Sequence, residues 1–168
     1  MDDEAQPRAD SDADARRRAL ELALRMLNAR ERTEAELRTS LERRRFESDV
    51  VGDVVGTLVA EGLIDDASYV RRFVDDRRLL DGWGTERIAR DLDRRGIKRE
   101  LVDEALVCHG HQEELAVAAA LLDRRFPLPF DSDRERDKAW RMLVRRGYEP
   151  ELAYSAVRAH ERGLADAA

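Results

Sequence analysis

Three arginines, Arg43, Arg94 and Arg145, recur 51 residues apart, and each is followed at once by a second arginine, Arg44, Arg95 and Arg146. A guanidinium is a planar fork of N–H donors, so a periodic row of them is suited to gripping carboxylates or phosphates rather than to breaking bonds. Helical geometry separates the two sets. Two residues before each pair's first member stands a leucine (Leu41, Leu92, Leu143) that fits an inward position. At about 100° per residue, the second position after it points about 200° away, and the third lies about 60° from the buried direction. Arg43, Arg94 and Arg145 are therefore expected in solvent, and Arg44, Arg95 and Arg146 flanking the core with their stems over apolar surface. Arg90 and Arg141, four residues earlier, extend the exposed row in two of the copies. The competing account is local: basic residues near a helix C-terminus offset the helix dipole, worth about 0.3–1 kcal/mol each.

Trp83 stands between Gly82 and Gly84. The backbone there could expose an aromatic anchor of the kind enriched at interfaces, or let the indole fold back on its own unit. With the five arginines it completes the candidate partner-binding set: Arg43, Arg90, Arg94, Arg141, Arg145 and Trp83. Cys108, His109 and His111 are too few and too awkwardly spaced for a zinc site. The doublets Asp65-Asp66 and Asp75-Asp76 fit helix caps and a solvated face, with no positioned base or nucleophile beside them. No phosphate-cradling glycine loop is present. The sequence thus predicts no catalytic, cofactor or metal site.

The 51-residue step carries more than arginine. It also aligns Phe46, Ile97 and Tyr148, then Val50, Leu101 and Leu152, then Val54, Ala105 and Ala156. A period near 50 means one supersecondary unit built three times and stacked, because a single copy cannot bury its own apolar face. Every long segment has a helical period and none alternates like a strand. Thr33 and Glu36 form a capping-box pattern, Ser48 is placed to cap the next helix, Asp65 or Asp66 and then Thr85 the following ones, and Asp131 or Ser132 a later one. Gly62, Gly96 and Gly147 mark helix ends, and Pro150 suits a first turn. The expected fold is all-α: three tandem three-helix repeats forming an elongated, curved array. The expected divisions are an acidic, disordered leader at 1–14, repeats at 15–64, 65–110 and 111–163, and a tail at 164–168.

Composition narrows the partners. Residues 1–15 hold six acids and one base, so most of the net charge of −6 lies there and the remainder is near −1. Such a body contacts free DNA weakly and without sequence preference unless its charges are segregated. Of 31 basic residues only Lys98 and Lys138 are lysines, a bias that a GC-rich genome also produces. The single cysteine, Cys108, predicts a reducing, cytoplasmic setting, and no apolar run approaches the ~20 residues of a membrane span.

The run Glu61-Gly62-Leu63-Ile64-Asp65-Asp66, then Tyr69-Val70, Gly82-Trp83-Gly84, Arg87-Ile88, Leu92 and Arg95-Gly96-Ile97 resembles the core motif of the RecX family of bacterial recombinase regulators. The likeness covers roughly residues 16–162 and is most specific in the central unit. It departs from regular repetition at Arg45, where the other copies have glycine, and in the longer connector Phe126–Phe130. What the resemblance implies is a monomeric, non-enzymatic, cytoplasmic protein of DNA repair, homologous recombination and the SOS response. It would bind the RecA filament on single-stranded DNA and lower its ATPase and strand-exchange activity.

A rival reading makes the three-helix units helix-turn-helix elements of a transcription regulator. Against it, neither Val50–Glu61 nor Leu101–Val107 contains an arginine or lysine, where a recognition helix would carry base-reading side chains.

Overall fold

A backbone that forms no sheet must satisfy its polar groups along its own helices and at their ends. In the computed structural model, which describes residues 6–108 and 110–166, it does so in nine helices with no strand among the described residues. They are α1 (Gln6–Ala29), α2 (Glu34–Glu42), α3 (Ser48–Ala60), α4 (Asp66–Leu79), α5 (Thr85–Arg94), α6 (Arg99–Val107), α7 (His111–Arg125), α8 (Asp133–Arg145) and α9 (Pro150–Asp166). Three consecutive triplets give the expected repeat. The leucines that anchor the period, Leu41, Leu92 and Leu143, are all fully buried.

The chain packs as two compact units: residues up to Tyr69 with Arg95–Ile97, and Val70–Arg94 with the chain from Lys98 on. In the first unit Ala19, Ala23 and Met26 of α1 meet Leu37 and Leu41 of α2 and the valine rows of α3. Val50 and Val54 form one row, Val51 and Val55 the other, and all four are buried. In the second unit Leu121 and Leu122 of α7, Ala139 and Leu143 of α8, and Leu152, Ala156 and Val157 of α9 close around Tyr148 and Phe130. The connector Phe126–Phe130 is pinned at both aromatic ends, whose rings meet edge to face at 5.5 Å, while Leu128 between them is exposed. His160, also buried, packs its ring at a tilt against Phe130, centroids 5.2 Å apart, and lies 2.6 Å from Asp123.

The ends of the helices differ from the expected caps in instructive ways. Thr33 Oγ does accept from the Glu36 amide at 3.1 Å, but the Glu36 carboxylate turns to Arg30 rather than back to the cap. Ser48 is the first residue of α3 and not its cap; Glu47 holds that place without a side-chain bond. Asp65 caps α4, accepting from both the amide and the hydroxyl of Ser68. Thr85 begins α5 instead of capping it, because its hydroxyl is taken by Arg78. Ser132 caps α8 by backbone alone.

α1 runs nine residues further toward the N-terminus than its apolar period predicts, from Gln6 rather than Ala15. Asp12–Asp14 are exposed, and the Asp14 carboxylate holds Arg17 and Arg18 one turn on. The extension is thus carried by propagation from the packed part of the helix and by local ion pairs. The expected leader therefore lies partly in α1, with residues 1–5 outside the described residues, and the expected tail is helical through Asp166.

Candidate partner-binding surface

Which arginines are available to a partner depends on which are consumed in holding one repeat to the next. In the first unit, Thr33 Oγ donates to the Arg95 carbonyl at 2.7 Å, and the Glu34 amide donates to Asp66 Oδ1 at 3.0 Å. Arg95 Nη1 donates to the Tyr69 hydroxyl at 2.8 Å and lies 3.7 Å from Glu36. Burial pushes the Tyr69 hydroxyl's pKa up, and the Arg95 charge opposes that rise. The start of α2 is thereby clasped to the turn Arg95-Gly96-Ile97. Gly96, at φ +72°, comes so near Ala35 that an added Cβ would lie closer than 3.0 Å to it.

The same clasp is built again inside the second unit. The Gly84 amide donates to the Arg146 carbonyl at 2.9 Å, the Glu86 amide to the Gly147 carbonyl at 3.0 Å, and the Thr85 amide to Glu114 Oε1 at 2.8 Å. Arg146 Nη1 donates to the Asp81 carbonyl. Asp66 and Glu114 play one part, each a carboxylate from the first or second turn of a following helix that accepts from the start of a middle helix. Arg95 and Arg146 play the other. The sequence reading placed Arg44, Arg95 and Arg146 together as flanking residues. Arg95 and Arg146 are partly buried as expected, but Arg44 is exposed, a correction with a plain cause. Where Arg95 and Arg146 reach groups beyond their own helices, the Arg44 side chain donates to the Ser40 carbonyl within its own helix region.

The arginines predicted to face solvent are exposed: Arg43, Arg90, Arg94, Arg141 and Arg145. They are not one bare cationic strip. Arg94 lies 3.5 Å from Asp91, Arg141 2.6 Å from Asp137, and Arg90 Nε donates to the Glu86 carbonyl. Arg141 and Arg145 share a groove of about 600 Å³ with Arg134 and Lys138, while Arg90 lines a separate groove with Arg99 and Leu106. Sequence reasoning missed Arg134 and Lys138, although 134, 138, 141 and 145 follow the i, i+4, i+7, i+11 spacing of one helix face. The groove's carboxylates, Asp131, Glu135 and Asp137, make it mixed in sign.

Trp83 folds back. Its ring is covered by the Arg87 guanidinium at 4.0 Å and Arg77 at 5.1 Å, and Phe73 meets it edge-on at 6.4 Å. That half-buried stack supports the turn that carries Gly84 into the clasp. Trp140 is half-buried, donating its indole N–H to the Pro150 carbonyl beside the exposed Tyr154. Cys108 and His111 are exposed, and His109 lies outside the described residues. Among the described residues no three His, Cys, Asp or Glu side chains converge as metal ligands, and no helix is long and apolar enough to cross a membrane.

With this geometry in hand, comparison with known proteins is specific. Models of the first, second and third three-helix domains of RecX match residues 19–58, 65–106 and 112–157. The chain is 34% identical over 161 residues to the regulatory protein RecX of Mycolicibacterium vanbaalenii, covering 90% of this chain and 88% of that one. It is 35% identical over 156 residues to the regulatory protein RecX of Deinococcus radiodurans, covering 92% and 74%. Its fold resembles the crystal structure of RecX from Lactobacillus salivarius with a TM-score of 0.78 at 21% identity, covering 89% and 99%. It also resembles a second crystal structure of regulatory protein RecX, with a TM-score of 0.76 at 25% identity, covering 95% and 79%.

Proposed function

The chain belongs to the RecX family of regulatory proteins, and on that premise we propose that it is a non-catalytic modulator of the RecA recombinase. It binds the RecA filament on single-stranded DNA and lowers ATPase and strand exchange, as a cytoplasmic monomer. The observation that carries the reading is the division of labour within the second and third arginine pairs, with both arginines of the first pair exposed. Arg95 and Arg146 are spent on the clasps, whereas Arg43, Arg94 and Arg145 project into solvent. The projecting set makes none of the clasp contacts, so an outside partner is the natural recipient of its charge. The mixed sign of the grooves favours a composite protein–nucleic acid surface over naked phosphate. Free duplex should accordingly bind weakly and lose affinity steeply with salt.

The test is a titration onto preassembled RecA filaments on single-stranded DNA, read by ATPase and by binding. Wild-type protein should lower turnover. Replacing Arg43, Arg94 and Arg145 together by Glu should weaken binding on the order of tenfold at low salt with helicity unchanged, since rim charges act through long-range attraction. Wild-type affinity in the triple variant would remove these arginines from the contact. Tight, sequence-selective binding to naked duplex would replace the whole reading with that of a transcription regulator.

A further inference from the structure

We propose that the groove between α8 and α9 is a docking site for a peptide segment of the protein partner, one that carries a large apolar side chain and, about one helical turn from it, a carboxylate. Two helix faces of matching pitch build the groove. Asp133, Arg136, Asp137 and Trp140 come from α8, and Tyr154, Val157, Arg158 and Glu161 from α9, each set at i, i+3, i+4 and i+7. A volume of about 470 Å³ takes a few side chains and not a folded domain. Its apolar part is Val157, which is buried, with Trp140 and Tyr154. The hydrogen bond from the Trp140 indole to the Pro150 carbonyl at 3.1 Å fixes that ring. Tyr154 is 59% exposed and makes no hydrogen bond or ring contact among the described residues. A tryptophan held by its polar end beside a tyrosine open to solvent is the kind of aromatic anchor that dominates binding energy at protein interfaces.

The charges select the occupant. Arg136 donates to both Asp133 and Glu161, and Arg141 lies 2.6 Å from Asp137, so each carboxylate of the groove has a guanidinium beside it. The Arg158 side chain, exposed in the same lining, makes no hydrogen bond or ion pair among the described residues. With Arg141 counted, three guanidiniums balance three carboxylates, and Arg158 is the one left to meet a charge from outside. It stands four residues from Tyr154 on one helix face, about 5–6 Å along α9, which sets the spacing between the occupant's apolar group and its carboxylate. A nucleic acid strand fits poorly, because every phosphate beyond the first would face the carboxylates of a neutral groove. The inference rests on the filament reading above and gives this face to the filament's protein component.

Binding of the full chain to preassembled RecA filaments on labelled single-stranded DNA tests it. Tyr154→Ala should weaken binding about 10- to 30-fold. Arg158→Glu should weaken it about tenfold, less as salt rises, while Arg158→Lys stays within about threefold of the parent. Both side chains are exposed, so helicity and the unfolding midpoint should match the parent in all three variants. With benzoylphenylalanine in place of Tyr154, irradiation should crosslink this chain to the filament protein. Crosslinking to DNA alone would assign the groove to a strand, and crosslinking to a second copy alone would make it a self-contact. Wild-type affinity in Tyr154→Ala or in Arg158→Glu would leave it without an occupant. Each of these overturns the docking site while the wild-type protein still binds the filament. A wild-type protein that fails to bind would instead overturn the filament reading, and this inference with it.

Discussion

The turn after α2, around Arg45, and its copies around Gly96 and Gly147 share a left-handed backbone, with φ of +63°, +72° and +87°, yet they tolerate different residues. Conformation alone therefore does not explain the glycines. At Gly96 and Gly147 the start of a neighbouring helix comes so close that an added Cβ would collide with Ala35 or Arg87. At the first turn an exposed arginine stands in the place that glycine takes in the other two. The lesson is that contact geometry within each unit, and not φ alone, decides which residue these turns accept. The same contrast separates Arg44, exposed, from Arg95 and Arg146, which are bound to neighbouring hydroxyl, carboxylate or carbonyl groups.

The strongest way to break this comparison is to add one methyl group to the clasp. Gly147→Ala meets both a positive φ and a collision with the Arg87 backbone, and should cost about 3–5 kcal/mol. Gly84→Ala meets the collision without the positive φ, since its Cβ would strike the Gly147 carbonyl and the Tyr148 amide. Gly62→Ala is the matching control: φ is +69° with nothing within 4 Å, so only backbone strain of about 1–2 kcal/mol remains. Urea unfolding of the three variants should rank Gly147 worst and Gly62 least. A Gly62 variant as damaged as Gly147 would mean that φ, not approach, sets the rule.

A smaller effect is expected from the arginines. Arg146→Glu removes a charged hydrogen bond to the Asp81 carbonyl and leaves an anion in its place, for a loss of about 1.5–3 kcal/mol. Arg44→Glu lies on an exposed turn and should stay within about 0.5 kcal/mol of the parent. Equal losses in calorimetry would dissolve the distinction between clasping and free copies.

Much of this was legible in the sequence. The repeat, the all-helical class and the inward leucines follow from periodicity, because burial imposes the same spacing each time. The outward direction of Arg43, Arg94 and Arg145 follows from helical angle alone. What periodicity could not give is what each repeat does to its neighbour. Thr85 reads as a cap, but its hydroxyl accepts from Arg78, seven residues earlier and from another helix. Glu36 reads as half of a capping box, but its carboxylate is drawn to Arg30 and Arg95. Local patterns name the donors and acceptors at a helix start; tertiary contacts decide who uses them. The one signal in the sequence that pointed to the clasp was the exception at Arg45, whose meaning needs the structure of the other two turns.

That exception offers the finest test. Arg45 has a positive φ and an exposed side chain with no hydrogen bond or ion pair among the described residues, while its amide donates to the Glu42 carbonyl at 2.8 Å. In Arg45→Gly the folded state is relieved of the left-handed penalty of a non-glycine residue, about 1–2 kcal/mol. Against this, glycine widens the unfolded ensemble at a cost of about 0.5–1 kcal/mol. The net expectation is a gain of up to about 1.5 kcal/mol, the reverse in sign of the alanine substitution at Gly147. Matched urea titrations with unchanged slope would resolve it. A loss beyond about 2 kcal/mol would show that the arginine side chain holds the first turn in place, and that the first copy obeys a contact rule of its own. A gain would show the opposite: the first turn keeps the fold's backbone at the expense of stability, and its arginine is retained for something outside the fold, as the exposed Arg43 beside it would be if the filament is its partner.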